Sequence, residues 1–525
     1  MSNSSTKLDW ARLRSDEAVG GLVLALLTGA SLLPVLLVPI PAMVDYPDHL
    51  ARMYILSSTG TAQANPFYRV TWELYPNLAM DLLIPQIAGL VSVAHATRIF
   101  LFISQILIIT GAVAIELVQK GRMRLALPAA LMCLYSLPFT WGFVNFEFGL
   151  GVALWGIAAS LMVVERPWPV RFGVNSIFVV ALFAAHFFAL GIYGATLGFY
   201  ELWRAWERKG GVREPALRFL LLAAPAAVVL VAMAFSGGAV GYVGTNWLFD
   251  IKPLWPFRIM NGYSMTVSAL TASALIGWLY VAARHRVLTL KAAGPWMTIG
   301  FALLYLVMPG KLFGTSFVDL RVIVAAALIL PAFMSVSLPS WRWRLATVGC
   351  VSFVITANLA VVFSVWLSYR ADYAAMIASF GNIEKGSLLL VAHSGAGDDP
   401  PLGNLTEYPM YHAATLAVHY ADAFVPDLFT AAGKQPVRAR PDLQRLDIPD
   451  VGPVPIAILA AIAAGKTPAG TPAFIRSWDR DFDYLYVLGP HRDNPMPALL
   501  QEVDSARRFV LYKIRRPARS APAAQ

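Results

Sequence analysis

The chain has 525 residues, 58% of them hydrophobic and 14% charged, with a formal net charge of +10 and a mean hydropathy of +0.60. Soluble domains carry about 25% charged residues, so this composition excludes an ordinary soluble enzyme and describes a polytopic membrane protein. The positive balance is that of Lys- and Arg-rich cytoplasmic loops and calls for no nucleic acid, while Cys133 and Cys350, both inside apolar runs, argue against a disulfide framework.

Residues 1–17 are polar and lack the short apolar core and cleavage site of a signal peptide. The charge-free run 18–44 therefore reads as an uncleaved first span, since crossing a bilayer takes roughly 20 apolar residues. Further charge-free runs lie at 99–115, 125–146, 148–164, 172–200, 219–236, 262–283, 292–309, 322–336 and 345–369. At about 1.5 Å rise per residue, 172–200 is too long for one ordinary span. It is expected to break near His186 and Gly191. Segment 77–93 contains Asp81, Pro85 and Gln86, and a mid-bilayer Asp costs about 2.5–3.5 kcal/mol. It reads as an interfacial helix on the outer face.

Basic clusters set the orientation. Lys7, Arg12 and Arg14 put the N-terminus in the cytoplasm, as do Lys120, Arg122 and Arg124, Arg166 and Arg171, Arg204 to Arg213, Arg284 to Lys291, and Arg342 and Arg344 for their own loops. These assignments agree only if 77–93 does not cross. The alternative, a crossing there with an unbroken helix at 172–200, puts Lys120 to Arg124 outside and changes nothing from Arg204 onward. In either case 45–76, 237–261, 310–321 and everything after Tyr369 face outward. The transmembrane module is then 1–369, with a first outer loop at 45–94. Residues 370–525 form a small soluble α/β domain, with strands at 387–391, Tyr484–Leu488 and Phe509–Ile514, helices at 411–420 and 497–506, and a disordered tail past Pro517.

Chemistry-bearing residues gather where the first span ends. Asp45, Asp48, His49 and Arg52 arrive within eight positions, and Pro47 favours a helix start with Asp45 or Tyr46 just outside it. Residues three and four apart share a helix face, so Asp48 and His49 lie under Asp45. The plain alternative is an N-capped interfacial helix whose carboxylates answer the helix dipole. Two carboxylates and an imidazole also suit a divalent cation, although the spacing matches no specific metal motif.

Glu147 stands alone in the charge-free stretch 125–164, in an aromatic, Gly-rich turn with Asn145. Such an acid is functional or snorkels to the interface. His186 reads as a satisfied membrane histidine or a ligand. Lys311, Asp319 and Arg321 line one outer loop, and Asp250, Lys252 and Arg258 another; outward cations bind lipid phosphate or are solvated rim charges. Arg69, Glu73 and Tyr75 follow in the first outer loop. His412, His419 and His491 show no ligand spacing and are expected at the surface.

This layout resembles the GT-C superfamily of integral-membrane glycosyltransferases, through Asp45 in Asp45-Tyr46-Pro47-Asp48-His49, the long first outer loop with Tyr75-Pro76-Asn77-Leu78, some ten or eleven spans and the C-terminal domain. It is similar in arrangement to the aminoarabinose and protein O-mannosyl transferases. Asp45-Tyr46 stands where those enzymes usually have an Asp-Glu pair, and the loop has no Asp-x-Asp. The resemblance implies an all-α GT-C-like membrane fold in a bacterial inner membrane, with the C-terminal domain periplasmic. It implies hexosyl or pentosyl transfer from a polyprenyl-phosphate-linked sugar to a lipid, glycan or protein acceptor, with inversion. Asp45 would be the general base, with Asp48 and His49 beside it. Lys311 and Arg321, with Arg258 behind them, would answer the leaving phosphate. Arg52, Tyr75, Asn145, Glu147, His186 and Asp319 complete the implied substrate-binding set.

Other classes remain open at this point. A transporter or flippase would keep its charges near the midplane on broken helices in related halves, and these charges sit at the outer face. A non-catalytic component of a polysaccharide assembly complex would share the layout, whereas an O-antigen polymerase or ligase would favour Arg-rich outer loops over a first-loop Asp.

Overall fold

The computed structural model describes residues 16–208, 213–235, 244–312, 314–395, 409–449, 452–490 and 493–515. Lys7, Arg12, Arg14, Lys209, His491 and the tail past Pro517 lie outside the described residues, as does part of the 237–261 loop.

Seven helices are long and apolar enough to cross a membrane: Val19–Leu37, Val93–Lys120, Val144–Met162, Trp168–Ala185, Arg213–Phe235, Met265–Arg284 and Trp341–Asn382. Their outer faces carry Leu26, Ile177, Val228 and Leu270, all more than half exposed in the protein alone, as a lipid-facing surface requires. The protein is a multi-pass membrane protein. The remaining expected spans are shorter or more polar. Run 125–146 becomes Ala126–Cys133 and Leu137–Trp141 before Val144–Met162 begins. Gly294–Val307 and Val318–Ile329 have 14 and 12 residues, and Phe187–Arg208 has 22, with Glu201, Arg204 and Arg208 near its end. Charge-free length overstated the straight spans because Pro138 and Pro331 start new helical pieces inside the runs.

The two most intimate helices, Val93–Lys120 and Val144–Met162, meet at Gly111 and Gly151. A Cβ on Gly151 would fall 2.6 Å from the Leu107 Cβ, so only a small residue lets these backbones approach. At the end of the first of them, buried Glu116 accepts from Lys120 and from the backbone N–H groups of Arg124, Leu125 and Ala126, which starts the next helix.

The opening helix, Asp16–Leu37, stops before Pro39 and Pro41 rather than running to Val44. The first outer loop then folds into the helices Tyr46–Ser58 and Ala79–Ala88 with the strand Tyr68–Val70 between them. At 10 residues, the second helix is about 15 Å long, half the hydrocarbon thickness. Asp81 is buried against Arg52 at 3.0 Å instead of entering lipid.

The long run 172–200 breaks at His186, whose backbone is extended (φ −164°, ψ 121°); Gly191 lies inside the following helix. Segment 77–78 fills the break. The Leu78 N–H donates to the Ala184 carbonyl, and the Asn77 side-chain oxygen accepts from the Phe187 N–H. Asn77 is left-handed (φ 71°), a conformation Asn tolerates.

The last membrane helix, Trp341–Ser379, has 39 residues, about 58 Å, and so carries on well past the bilayer. Tyr373 and Ser379 on its far end bond Pro409 and Tyr486 of the domain beyond. That domain contains a five-stranded mixed sheet in the order Leu500–Ala506, Phe509–Ile514, Tyr484–Leu488, Leu389–His393, Val454–Pro455. The first three strands are antiparallel and the last two pair in parallel. The expected helix at 497–506 is instead the edge strand Leu500–Ala506, recruited by the hairpin to Phe509–Ile514 through the Ala506 and Phe509 pair. Tertiary pairing overrides a weak helical preference there.

The domain and the first outer loop share one face. Tyr68–Val70 pairs antiparallel with Val437–Ala439, and the Tyr54 hydroxyl donates to Asp422.

Removing one partner of a buried ion pair costs about 3–5 kcal/mol, whereas replacing both by apolar groups is often neutral. Arg52→Leu is therefore expected to lower the Tm in detergent sharply, and Arg52→Leu with Asp81→Leu to recover most of the loss. Equal Tm values for the single and double variants would show that the pair does not carry this stability.

Candidate active site

Asp45 is the N-cap residue of Tyr46–Ser58, yet its side chain makes no capping hydrogen bond. The capping hydrogen bond of the plain alternative is therefore absent, while Asp48 does lie in the first turn, where its charge answers the helix dipole. Its backbone is clasped to the Trp141–Gly142 turn: the Asp45 N–H donates to the Trp141 carbonyl at 2.9 Å. Gly142 has φ 103°, and a Cβ there would lie 2.9 Å from the Asp45 nitrogen and Cβ; glycine is required on both counts. His49 closes the clasp, its Nε2 lying 3.0 Å from the Gly142 carbonyl. A carbonyl only accepts, so Nε2 carries the proton. Burial first, then the Arg52 charge, pulls the His49 pKa down to about 3. His49 is a neutral positioning donor.

Arg321 lies beside this clasp. It is 2% exposed and rests on the rings of Phe143, Phe146 and Phe188 at 4.3, 5.1 and 5.8 Å from their centroids. Its Nη2 donates to the Ser316 carbonyl at 3.2 Å. Its charge is felt by Glu147 and Asp45, but among the described residues no carboxylate lies within ion-pair distance of it. Glu147, 1% exposed, has no hydrogen-bond partner on either oxygen among the described residues. His186 meets Arg321 at 3.5 Å through Nε2, while Nδ1 accepts from the Phe188 N–H at 3.2 Å. A neutral imidazole has one accepting nitrogen, so the tautomer decides whether His186 accepts from the Arg321 guanidinium or from the Phe188 N–H. The site thus sets a buried guanidinium, held by aromatic faces, within electrostatic range of two carboxylates.

The other sequence candidates are engaged elsewhere. Arg52 is paired with Asp81. Tyr75 is buried, its hydroxyl donating to the Thr71 carbonyl. Asn145 straps the first loop, donating to the Asn77 carbonyl and accepting from the Met80 N–H. Asp319 is buried against Lys252 at 3.0 Å, and Lys252 also donates to the Tyr305 and Met308 carbonyls. Lys311 is exposed on the hairpin that carries Ser316, and Arg258 is half-buried beside Trp255. Among the described residues no group of three or more His, Cys, Asp or Glu is arranged to hold a metal ion.

The C-terminal domain adds groups that spacing did not reveal. His412 is 6% exposed rather than at the surface. Its Nδ1 lies 3.3 Å from Asp48 and 3.7 Å from Asp427. Phe429 packs edge-on against both His412 and His49. His419 is half-buried between Tyr54 and Tyr420. No local signal marked His412, because its partner Asp48 is far along the chain.

Burial disfavours the His412 charge, but Asp48, Asp427 and Asp45 outweigh it and raise the pKa from 6.5 to about 10. A raised folded-state pKa means the stabilisation is whole below about pH 6.5 and is lost as pH rises through about 10. The wild-type Tm is expected to fall more steeply than that of His412→Gln between those values. Parallel pH profiles for the two proteins would remove His412 as the charged link between domain and knot.

No family model matches this sequence, and no curated protein matches it. Solved structures do. ArnT from Cupriavidus metallidurans bound to undecaprenyl phosphate aligns with a TM-score of 0.53 and 11% identity, over 94% of this chain and 97% of that one. The apo state of the same protein aligns with a TM-score of 0.51 and 12% identity, over 94% and 98%. From the opening span to the C-terminal sheet, this chain shares the fold of ArnT.

Proposed function

We propose that this protein is an integral-membrane glycosyltransferase moving a sugar from a polyprenyl-phosphate-type donor to an acceptor hydroxyl. The reaction takes place at the membrane face that carries Asp45 and the C-terminal domain. The observation that carries the reading is Arg321, a buried cation with no ion pair among the described residues, beside a clasped Asp45. Burying an uncompensated charge is costly, and a phosphate oxyanion would supply the missing partner. The shared fold adds support, because ArnT was solved with undecaprenyl phosphate bound.

In this reading Asp45 accepts the proton of the acceptor hydroxyl as its oxygen bonds to the anomeric carbon. The bond from that carbon to the phosphate oxygen breaks, and the lipid phosphate leaves with the electron pair. Arg321 stabilises the charge that develops there, assisted by exposed Lys311 and by Arg258 at the rim. One displacement through an oxocarbenium-like state inverts the anomeric centre. The clasp on Gly142 and the contacts of Asp48 with His412 hold Asp45 in place. Lys120, Arg171, Arg204 and Arg284 gather at the other membrane face, which by the positive-inside rule is cytoplasmic. The site and the C-terminal domain are then periplasmic, in a bacterial inner membrane.

The test uses the full chain in nanodiscs, with undecaprenyl phosphate for binding and a panel of undecaprenyl-phosphate-linked sugars for transfer. Asp45→Asn is expected to keep lipid binding and Tm while transfer falls by about 10² or more. Arg321→Gln is expected to lose lipid binding. Wild-type transfer by Asp45→Asn removes Asp45 as base, and no binding of undecaprenyl phosphate by the wild type overturns the donor class.

A further inference from the structure

A second charged centre lies at the opposite membrane face, and the glycosyl chemistry proposed above does not use it. It is separated from His186 and Arg321 by the length of Trp168–Ala185, whose 18 residues span about 27 Å. Here three guanidiniums converge on one buried carboxylate. Glu201, 7% exposed, accepts from Arg171 at 2.7 Å and from Arg204 at 2.9 Å, and Arg218 lies 3.6 Å away. Arg204 and Arg218 are themselves 4% and 8% exposed. The other carboxylates nearby, Glu165 and Glu214, are about two-thirds exposed at the rim, where they meet Arg204, Arg208 and Arg218.

The cluster thus sets four guanidiniums against three carboxylates, and among the described residues Arg171, unlike Arg204 and Arg218, has no carboxylate partner besides Glu201. Each guanidinium has five donors, more than a single carboxylate can accept. Between Arg171, Arg218 and Glu201 opens a cleft of about 50 Å³, walled by Leu161, Phe172 and Leu222 among other apolar groups. A single water needs about 10–15 Å³ on this measure, so the space matches a group of three or four oxygens. On its flanks the helices present Trp168, Leu217 and Leu220, each more than half exposed, as a lipid-facing surface.

We infer that this cleft between Trp168–Ala185, Phe187–Arg208 and Arg213–Phe235 is a binding site for a phosphate oxyanion of the kind borne by an anionic phospholipid headgroup. The guanidiniums supply the charge and forked donors that phosphate recognition uses. The apolar walls and flanks supply a path for acyl chains at headgroup depth. Glu201 holds the three arginines in register while the cleft is empty and shares them when an anion enters.

The purified full-length protein in detergent is titrated with dioleoylphosphatidylglycerol, dioleoylphosphatidylcholine or inorganic phosphate, with thermal stabilisation as the readout. Saturable stabilisation by phosphatidylglycerol, at least tenfold tighter than by phosphatidylcholine, is expected, and it should weaken at least fivefold in Arg171→Gln. Arg171 is the most exposed of the three, at 25% of its side chain, and so the least needed for folding. Stabilisation by inorganic phosphate alone, lost in the same variant, would keep the site and assign the free ion as its source. Indifference to headgroup charge and to phosphate, or unchanged affinity in Arg171→Gln, overturns the inference. If that variant does not fold, a photoreactive phosphatidylglycerol on the wild type decides. Crosslinks at 168–175 and 217–222 support the site, and crosslinks only elsewhere refute it.

Discussion

Asn77 is the hinge on which the end of the molecule that carries Asp45 depends. A helix broken inside a membrane leaves backbone groups that lipid cannot satisfy, each costing several kcal/mol. Residues 77 and 78 answer both ends of the break at His186, one through a side-chain oxygen and one through a backbone N–H. Asn145 in turn holds the Asn77 carbonyl, so the first outer loop, the broken helix and the start of Val144–Met162 become one unit. That unit places Phe146, His186 and Phe188 around Arg321.

The buried charges of the protein fall into two kinds. Arg52 with Asp81, and Lys252 with Asp319, are closed pairs at 3.0 Å; they fix elements and have little left to offer a substrate. Arg321 and Glu147 are buried to the same degree, yet no ion pair at contact distance joins them. Uncompensated charge in a dry setting is expensive, and a fold keeps it where a ligand completes it. The cluster on Glu201 at the other face is paired throughout, yet its four guanidiniums outnumber its three carboxylates by one. Between knot and C-terminal domain, His412 links Asp48 to Asp427, so that domain is electrostatically tied to the helix that begins at Asp45.

Much of the membrane half was legible because hydropathy and charge report directly on lipid contact. The cost of Asp81 in a bilayer argued against a span at 77–93, where the structure has a helix of only 10 residues, and the length of 172–200 required a break. In space these two inferences are one event, the insertion of Asn77 into that break. The strands Tyr484–Leu488 and Phe509–Ile514 were legible from apolar runs between turns. Residues 497–506 were not, because their helical composition yields to an edge pairing that only the neighbouring strand supplies. His412 was not either: a buried histidine and a surface one look alike until its carboxylate partners are known.

By itself the sequence determined that this is a multi-spanning protein, that its carboxylates collect at the exit of the first span, and that Glu147 stands alone in an otherwise charge-free stretch. Those follow from transfer free energies, which belong to each residue and its near neighbours. Only the tertiary structure decided which charges are spent on one another. It took Arg52, Tyr75, Asn145 and Asp319 into structural bonds, left Arg321 facing Asp45 and Glu147, and brought His412 onto Asp48. Pairing depends on distances between segments far apart in the chain, and no local property of the sequence encodes them.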